Sequence, residues 1–185
     1  SGTGRYVAFV SSASDLVAGD GNGVADVFVR DLVGGTTARV SLTSAGGESS
    51  GAASDPAVSG DGRYVAFVSS ASDLVAGDTN GVADVFVRDV VGGTTSRVSV
   101  TAAGAQVNGA STTPSISPSG EWVAFASTAT NVVSGDSNGV SDVFVARRTG
   151  GTVRRASAPD ALSKPFQQSN GASSRPQVTD GVNGY

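Results

Sequence analysis

The chain contains no cysteine, which excludes disulfides and thiol catalysis. It contains no histidine, the commonest general base and the commonest transition-metal ligand. A Ser–His–Asp triad therefore cannot form. Glutamate occurs only at Glu48 and Glu121, and few windows favour a helix. Lysine occurs once, at Lys164, and the other basic residues are arginines; that imbalance reads as source-genome bias, not chemistry. Charged residues make up 15% of the chain and the net charge is −4. No basic face for nucleic acid is expected from that balance. No run of about eighteen apolar residues occurs, so no membrane span is expected. The sequence opens at Ser1 without methionine or a signal peptide, and is expected to be processed or cut from something longer.

What is present is repetition. Gly77-Asp78-Thr79-Asn80-Gly81-Val82-Ala83-Asp84-Val85-Phe86-Val87-Arg88-Asp89 occurs three times. The first copy spans Gly19–Asp31, with Gly21 for Thr79. The third spans Gly135–Val145 and ends in Ala146-Arg147. Arg5-Tyr6-Val7-Ala8-Phe9 returns at Arg63–Phe67 and as Glu121-Trp122-Val123-Ala124-Phe125. Internal periodicity of this size signals a repeat architecture. The 185 residues suffice for one domain with a real core. We read one domain over 1–185, in repeats of approximately 1–58, 59–116 and 117–185.

One repeat carries four strand signals. Strand a is expected at Pro56–Ser59, followed by an Asp61-Gly62 hairpin turn. Strand b is expected at Arg63–Ser69, strand c at Asp84–Val90 and strand d at Thr95–Thr101. Gly92-Gly93 turns c into d. The third connector is longer and carries Pro159, Lys164, Pro165 and Phe166. A fourth strand a is expected at Arg175–Thr179. Tyr64–Val68 and Val85–Val87 are apolar on both faces, as in a sheet covered on both sides. Stacked four-stranded antiparallel sheets describe an all-β propeller. A β-sandwich is the runner-up, and repeats that resemble one another count against it.

Pro56-Ala57-Val58-Ser59-Gly60-Asp61-Gly62-Arg63-Tyr64-Val65-Ala66-Phe67 resembles the repeat signature of TolB-like, WD-related propellers. Ser115–Trp122 keeps the Ser-Pro but has Ser119 for the aspartate. The resemblance covers essentially the whole chain. It implies a propeller, and it leaves function open between scaffold propellers and peptidase-associated ones.

Three blades' worth per chain falls short of the roughly four to eight blades of known propellers. Either two chains form a six-bladed homodimer, each donating its last strand, or the chain is a piece of a longer one. A filament built by the same exchange is a third arrangement.

Asp20, Asn22 and Asp26 recur as Asp78, Asn80 and Asp84, and as Asp136, Asn138 and Asp142. Three oxygen-bearing side chains within a short loop suit Ca²⁺. The same residues also suit plain turn chemistry. No other cofactor is expected. Arg–Asp pairs are expected across strands from Arg30-Asp31, Arg88-Asp89, Arg39 and Arg97. Arg147, Arg148, Arg154 and Arg155 form a local basic cluster, read as a solvated hairpin tip or a patch for an anionic partner. Trp122 stands at the position of Tyr64 and is expected in the core.

Every prominent aspartate sits in a repeated turn, which argues for structure over a unique active site, so no catalysis is expected. The reading is a non-catalytic scaffold or binding module in a bacterial extracytoplasmic protein. A protein or small ligand would dock on the ring face. The alternatives are the propeller portion of a larger hydrolase or peptidase and a reconstructed propeller with no native ligand.

Overall fold

The structure, a computed structural model, describes residues 1–149, 151–158 and 171–180. Among these are eleven β-strands and no helix. β1 (Tyr6–Ser11), β2 (Asp26–Asp31) and β3 (Thr36–Arg39) form a three-stranded sheet. β4 (Ala53–Val58), β5 (Tyr64–Ser69), β6 (Asp84–Asp89) and β7 (Thr94–Arg97) form a four-stranded one. β8 (Ser111–Ile116), β9 (Trp122–Ser127), β10 (Asp142–Arg147) and β11 (Val153–Arg155) form the third. All pairings are antiparallel between chain neighbours. The Gly150-Gly151 turn is described only at Gly151, and Pro159, Lys164, Pro165 and Phe166 lie outside the described residues.

Strand a begins at Ala53, earlier than its sequence signal at Pro56. The register breaks between Ser54 and Ala57, and Pro56 falls inside that irregularity. A proline has no N–H for the ladder, so a bulge is where a strand tolerates it. β8 repeats the device between Thr112 and Ser115, around Pro114.

The sheets stack face to face. Val27, Val29 and Val40 of the first sheet and its connector pack with Val65, Phe67, Leu74 and Phe86 of the second. The second sheet's opposite face, with Tyr64, Ala66, Val68, Val85 and Val87, packs with Val123, Phe125 and Phe144 of the third. β5 is buried along its whole length, which explains its unbroken apolar run. Burying a valine or phenylalanine contributes about 1.5–3 kcal/mol, so each sheet depends on its neighbours. In-register phenylalanines pin every b–c pair, with ring centroids 5.7 Å apart for Phe9–Phe28, 5.8 Å for Phe67–Phe86 and 5.9 Å for Phe125–Phe144.

The first sheet lacks the inner strand that the others have. β1 is also only half covered, with Val7 and Val10 each 42% exposed. The segment expected as the fourth strand a carries no strand, because no partner ladder lies beside it among the described residues. It is nonetheless placed as an inner strand. The Ser173 N–H donates to the Ser141 carbonyl at 2.6 Å, as Ala53 does to Ala25 and Ser111 to Ala83, both at 2.8 Å. Arg175 takes a positive φ of 56°, matching 50° at Asp55 and at Thr113.

Candidate functional site

The three Asp-x-Asn-Gly-x-x-Asp loops run into strand c, and the strand sets the geometry. Asp26, Asp84 and Asp142 open β2, β6 and β10 and are fully buried. The asparagine closes the loop on itself. Asn80 Nδ2 donates to Asp84 Oδ2 at 3.1 Å and to the Val107 carbonyl at 3.1 Å, while its Oδ1 accepts the Val82 N–H at 3.1 Å. Asn22 bonds Asp26, the Ser49 carbonyl and Val24 in the same way. Asn138 does so to Asp142 and Val140. The other oxygen of each buried aspartate accepts a serine hydroxyl: Ser41 at 2.5 Å, Ser99 at 2.6 Å and Ser157 at 2.6 Å.

An arginine from strand d stands between the two aspartates of each loop. Arg39 Nη1 lies 3.1 Å from Asp20, 3.4 Å from Asp26 and 2.5 Å from Glu48. Arg97 Nη1 lies 3.2 Å from Asp78 and 3.4 Å from Asp84. Arg155 Nη1 lies 3.6 Å from Asp136 and 3.8 Å from Asp142. The structure thus brings each set of three predicted residues together and adds a guanidinium at its centre. Asp20, Asp26 and Glu48 hold their oxygens within 4.8 Å of one another, a donor set that a hard cation also favours. In the second sheet Gln106 replaces Glu48, and its Nε2 donates to Asp78 Oδ1 at 2.9 Å. Burial, then the neighbouring aspartate charge, pushes the Asp78 and Asp136 carboxyls up. The Gly21 N–H, then Arg39, hold Glu48 down.

No family model matches the sequence, and no curated protein does. Among solved structures, a putative TolB from Agrobacterium tumefaciens superposes with a TM-score of 0.52 at 19% identity, over 83% of this chain and 42% of that one. The fold is that of a TolB-like β-propeller. TolB from Acinetobacter baumannii gives a TM-score of 0.48 at 17% identity, over 85% of this chain and 30% of that one. The propeller domain of the Pyrococcus furiosus trilobed protease gives 0.38 at 11% identity, over 83% and 54%. This chain therefore spans less than half of either TolB chain.

Cross-strand Arg–Asp pairs form within a TolB-like blade as expected, Arg39 with Asp26 and Arg97 with Asp84, and a second set joins strands b and c. Asp31 and Asp89 bond the arginine that opens strand b, not one on strand d. Arg63 Nε and Nη2 meet Asp89 at 3.0 and 2.9 Å, and Arg5 meets Asp31 at 2.9 and 2.7 Å. In the third blade the charges are exchanged, with Arg147 on Glu121 at 2.6 Å. Arg30 and Arg88 instead donate to Thr37 and Thr95 at 3.0 and 3.1 Å. The basic cluster is largely consumed. Besides Arg147 and Arg155, Arg148 donates to the Gly120 carbonyl at 2.8 Å and lies 3.8 Å over the Tyr64 ring. Trp122, expected in the core, is half-buried in an outer cleft. Sequence reading missed Arg39, Ser41 and Glu48 as members of the site. The signal was available for the first two: an arginine thirteen and a serine fifteen positions after the buried aspartate recur in all three repeats.

Proposed function

We propose that the chain is a non-catalytic propeller scaffold, a binding module that completes its ring by exchange of strands between copies. One observation carries this reading. The inner edge of β1 has no strand beside it, while residues 173–178 hold an inner-strand position with no sheet of their own. Each end of the chain supplies what the other lacks. Three sheets per chain, doubled by a two-fold axis, give six blades, within the known range. Partners, protein or small ligand, would dock on the ring face, where loops converge, in an extracytoplasmic bacterial setting. A non-catalytic role fits a molecule whose loop carboxylates are spent on its own arginines and serines. No helix of the described residues is long and apolar enough to cross a membrane.

Light scattering on the 185-residue chain tests the assembly. The expected particle has the mass of two chains. A single-chain mass at every concentration removes the exchange.

A second reading is favoured by Glu48 alone. With three carboxylates around one guanidinium, the first loop is the place where Ca²⁺ would compete with Arg39. A melting-temperature rise with millimolar Ca²⁺ that is larger in Arg39→Gln supports this reading. No shift in either protein ends it.

A further inference from the structure

The second and third blades each seat a tight turn on the aromatic side chain of the blade before. Gly62 lies on the Tyr6 ring, where an added Cβ would come within 2.4 Å of a ring carbon. Gly120 lies on the Tyr64 ring, with the corresponding distance 2.2 Å. Only glycine fits such an approach, and φ values of +75° and +72° ask for it as well. Gly4 makes the same turn in the first blade, at φ +70°, and has nothing within 4 Å. At the other end, Trp122 stands at the tyrosine position with no glycine described on it. It lines a cleft of about 560 Å³ with Val145, Arg154, Val178 and Thr179.

We infer that Trp122 is the docking seat for the Gly4 turn of a second copy of this chain. The inference rests on the assembly proposed above and locates its junction. The face around Gly4 repeats Gly62, Val65, Leu74 and Arg88 of the face by which the second blade grips the first, with Thr3 for Asp61 and Leu32 for Val90. Leu74 is fully buried there, and its carbonyl accepts the Ser44 N–H at 2.8 Å, whereas Leu16 is 38% exposed. Val65 is fully buried and Val7 is 42% exposed. Arg88 reaches across to the Thr43 carbonyl at 3.1 Å, while Arg30 reaches only Thr37 of its own blade. The glycine turn, the valine, the leucine and the arginine are all in place for a preceding blade. The outer face of the third blade presents the aromatic residue such a blade requires.

Trp122 is the chain's single tryptophan, so its fluorescence reports this junction alone. Emission is expected to move to shorter wavelength with concentration, in step with the rise in mass. Gly4→Asn keeps a residue type that tolerates positive φ and adds the side chain the seat excludes. It should leave the circular dichroism of the dilute chain unchanged and weaken association roughly tenfold or more. Trp122→Tyr, the residue of the other two seats, should associate like the parent, and Trp122→Ala should not. A two-chain mass with unchanged emission, or with association indifferent to Gly4→Asn, overturns this junction and leaves the assembly standing. A single-chain mass throughout overturns both.

Discussion

Asp84 is enclosed on every side, and its neighbours depend on it. Ser99, Asn80 and Arg97 all direct donors at its two oxygens. Removing one partner of a buried charge cluster leaves the others unpaired and typically costs about 3–5 kcal/mol. Asp84→Ala should fall in that range by urea denaturation. Asp89 offers the contrast. Its partner Arg63 is 43% exposed, and exposed pairs contribute at most about 1 kcal/mol. Arg63, followed by the Gly92 N–H, holds the Asp89 carboxyl down to about 2 from an ordinary 3.8. A depressed carboxyl stabilises the fold fully above the unfolded value and loses that contribution as pH falls through the folded one. Melting temperature should therefore drop between pH 3.8 and about 2, and drop less in Asp89→Asn. Asp78 and Asp136 act in the opposite sense. Their raised carboxyls favour the folded chain below the unfolded value, and that contribution fades as pH rises through the folded one. An acid melt with no difference between parent and Asp89→Asn would remove the assigned role of Asp89.

At the scale of the strand pair, one position tells most. Arg5–Asp31 and Arg63–Asp89 keep one polarity, and Glu121–Arg147 reverses it. The two changes compensate because both ends lie on the b–c hairpin, with Tyr64 opposite Asp89 and Trp122 opposite Arg147 in the ladder. Arg63→Glu combined with Asp89→Arg should then recover much of what either change alone loses. The differences are a few tenths of a kcal/mol to about 1 kcal/mol, read by a double-mutant cycle in denaturant. Additive losses would show that the pair does not interact. The compensated change was legible once the repeats were aligned. The partner of Asp89 was not, since Arg88 is adjacent in sequence and Arg63 is its neighbour only after the hairpin closes.

For the molecule as a whole, blades one and two form an internal control. Residues of the same type at the same repeat position differ in whether a preceding sheet covers them and in whether a fourth strand lies beside strand b. Leu74→Ala removes a fully buried side chain and should cost about 2–5 kcal/mol. Leu16→Ala, at a position 38% exposed, should cost the single chain less than about 1 kcal/mol. Equal losses in the dilute chain would mean that the first blade is already covered. The sequence by itself determined the repeats, the four strand signals in each, the stacking of covered sheets and the membership of each carboxylate loop. Those are local patterns of spacing and hydrophobicity, and one chain states them three times. Only the tertiary structure decided that strand d places a guanidinium between the loop aspartates, that Trp122 faces outward and that β1 stays half covered. Each depends on which surfaces meet when sheets stack, and near-identical residues in blades one and two meet different surroundings for that reason.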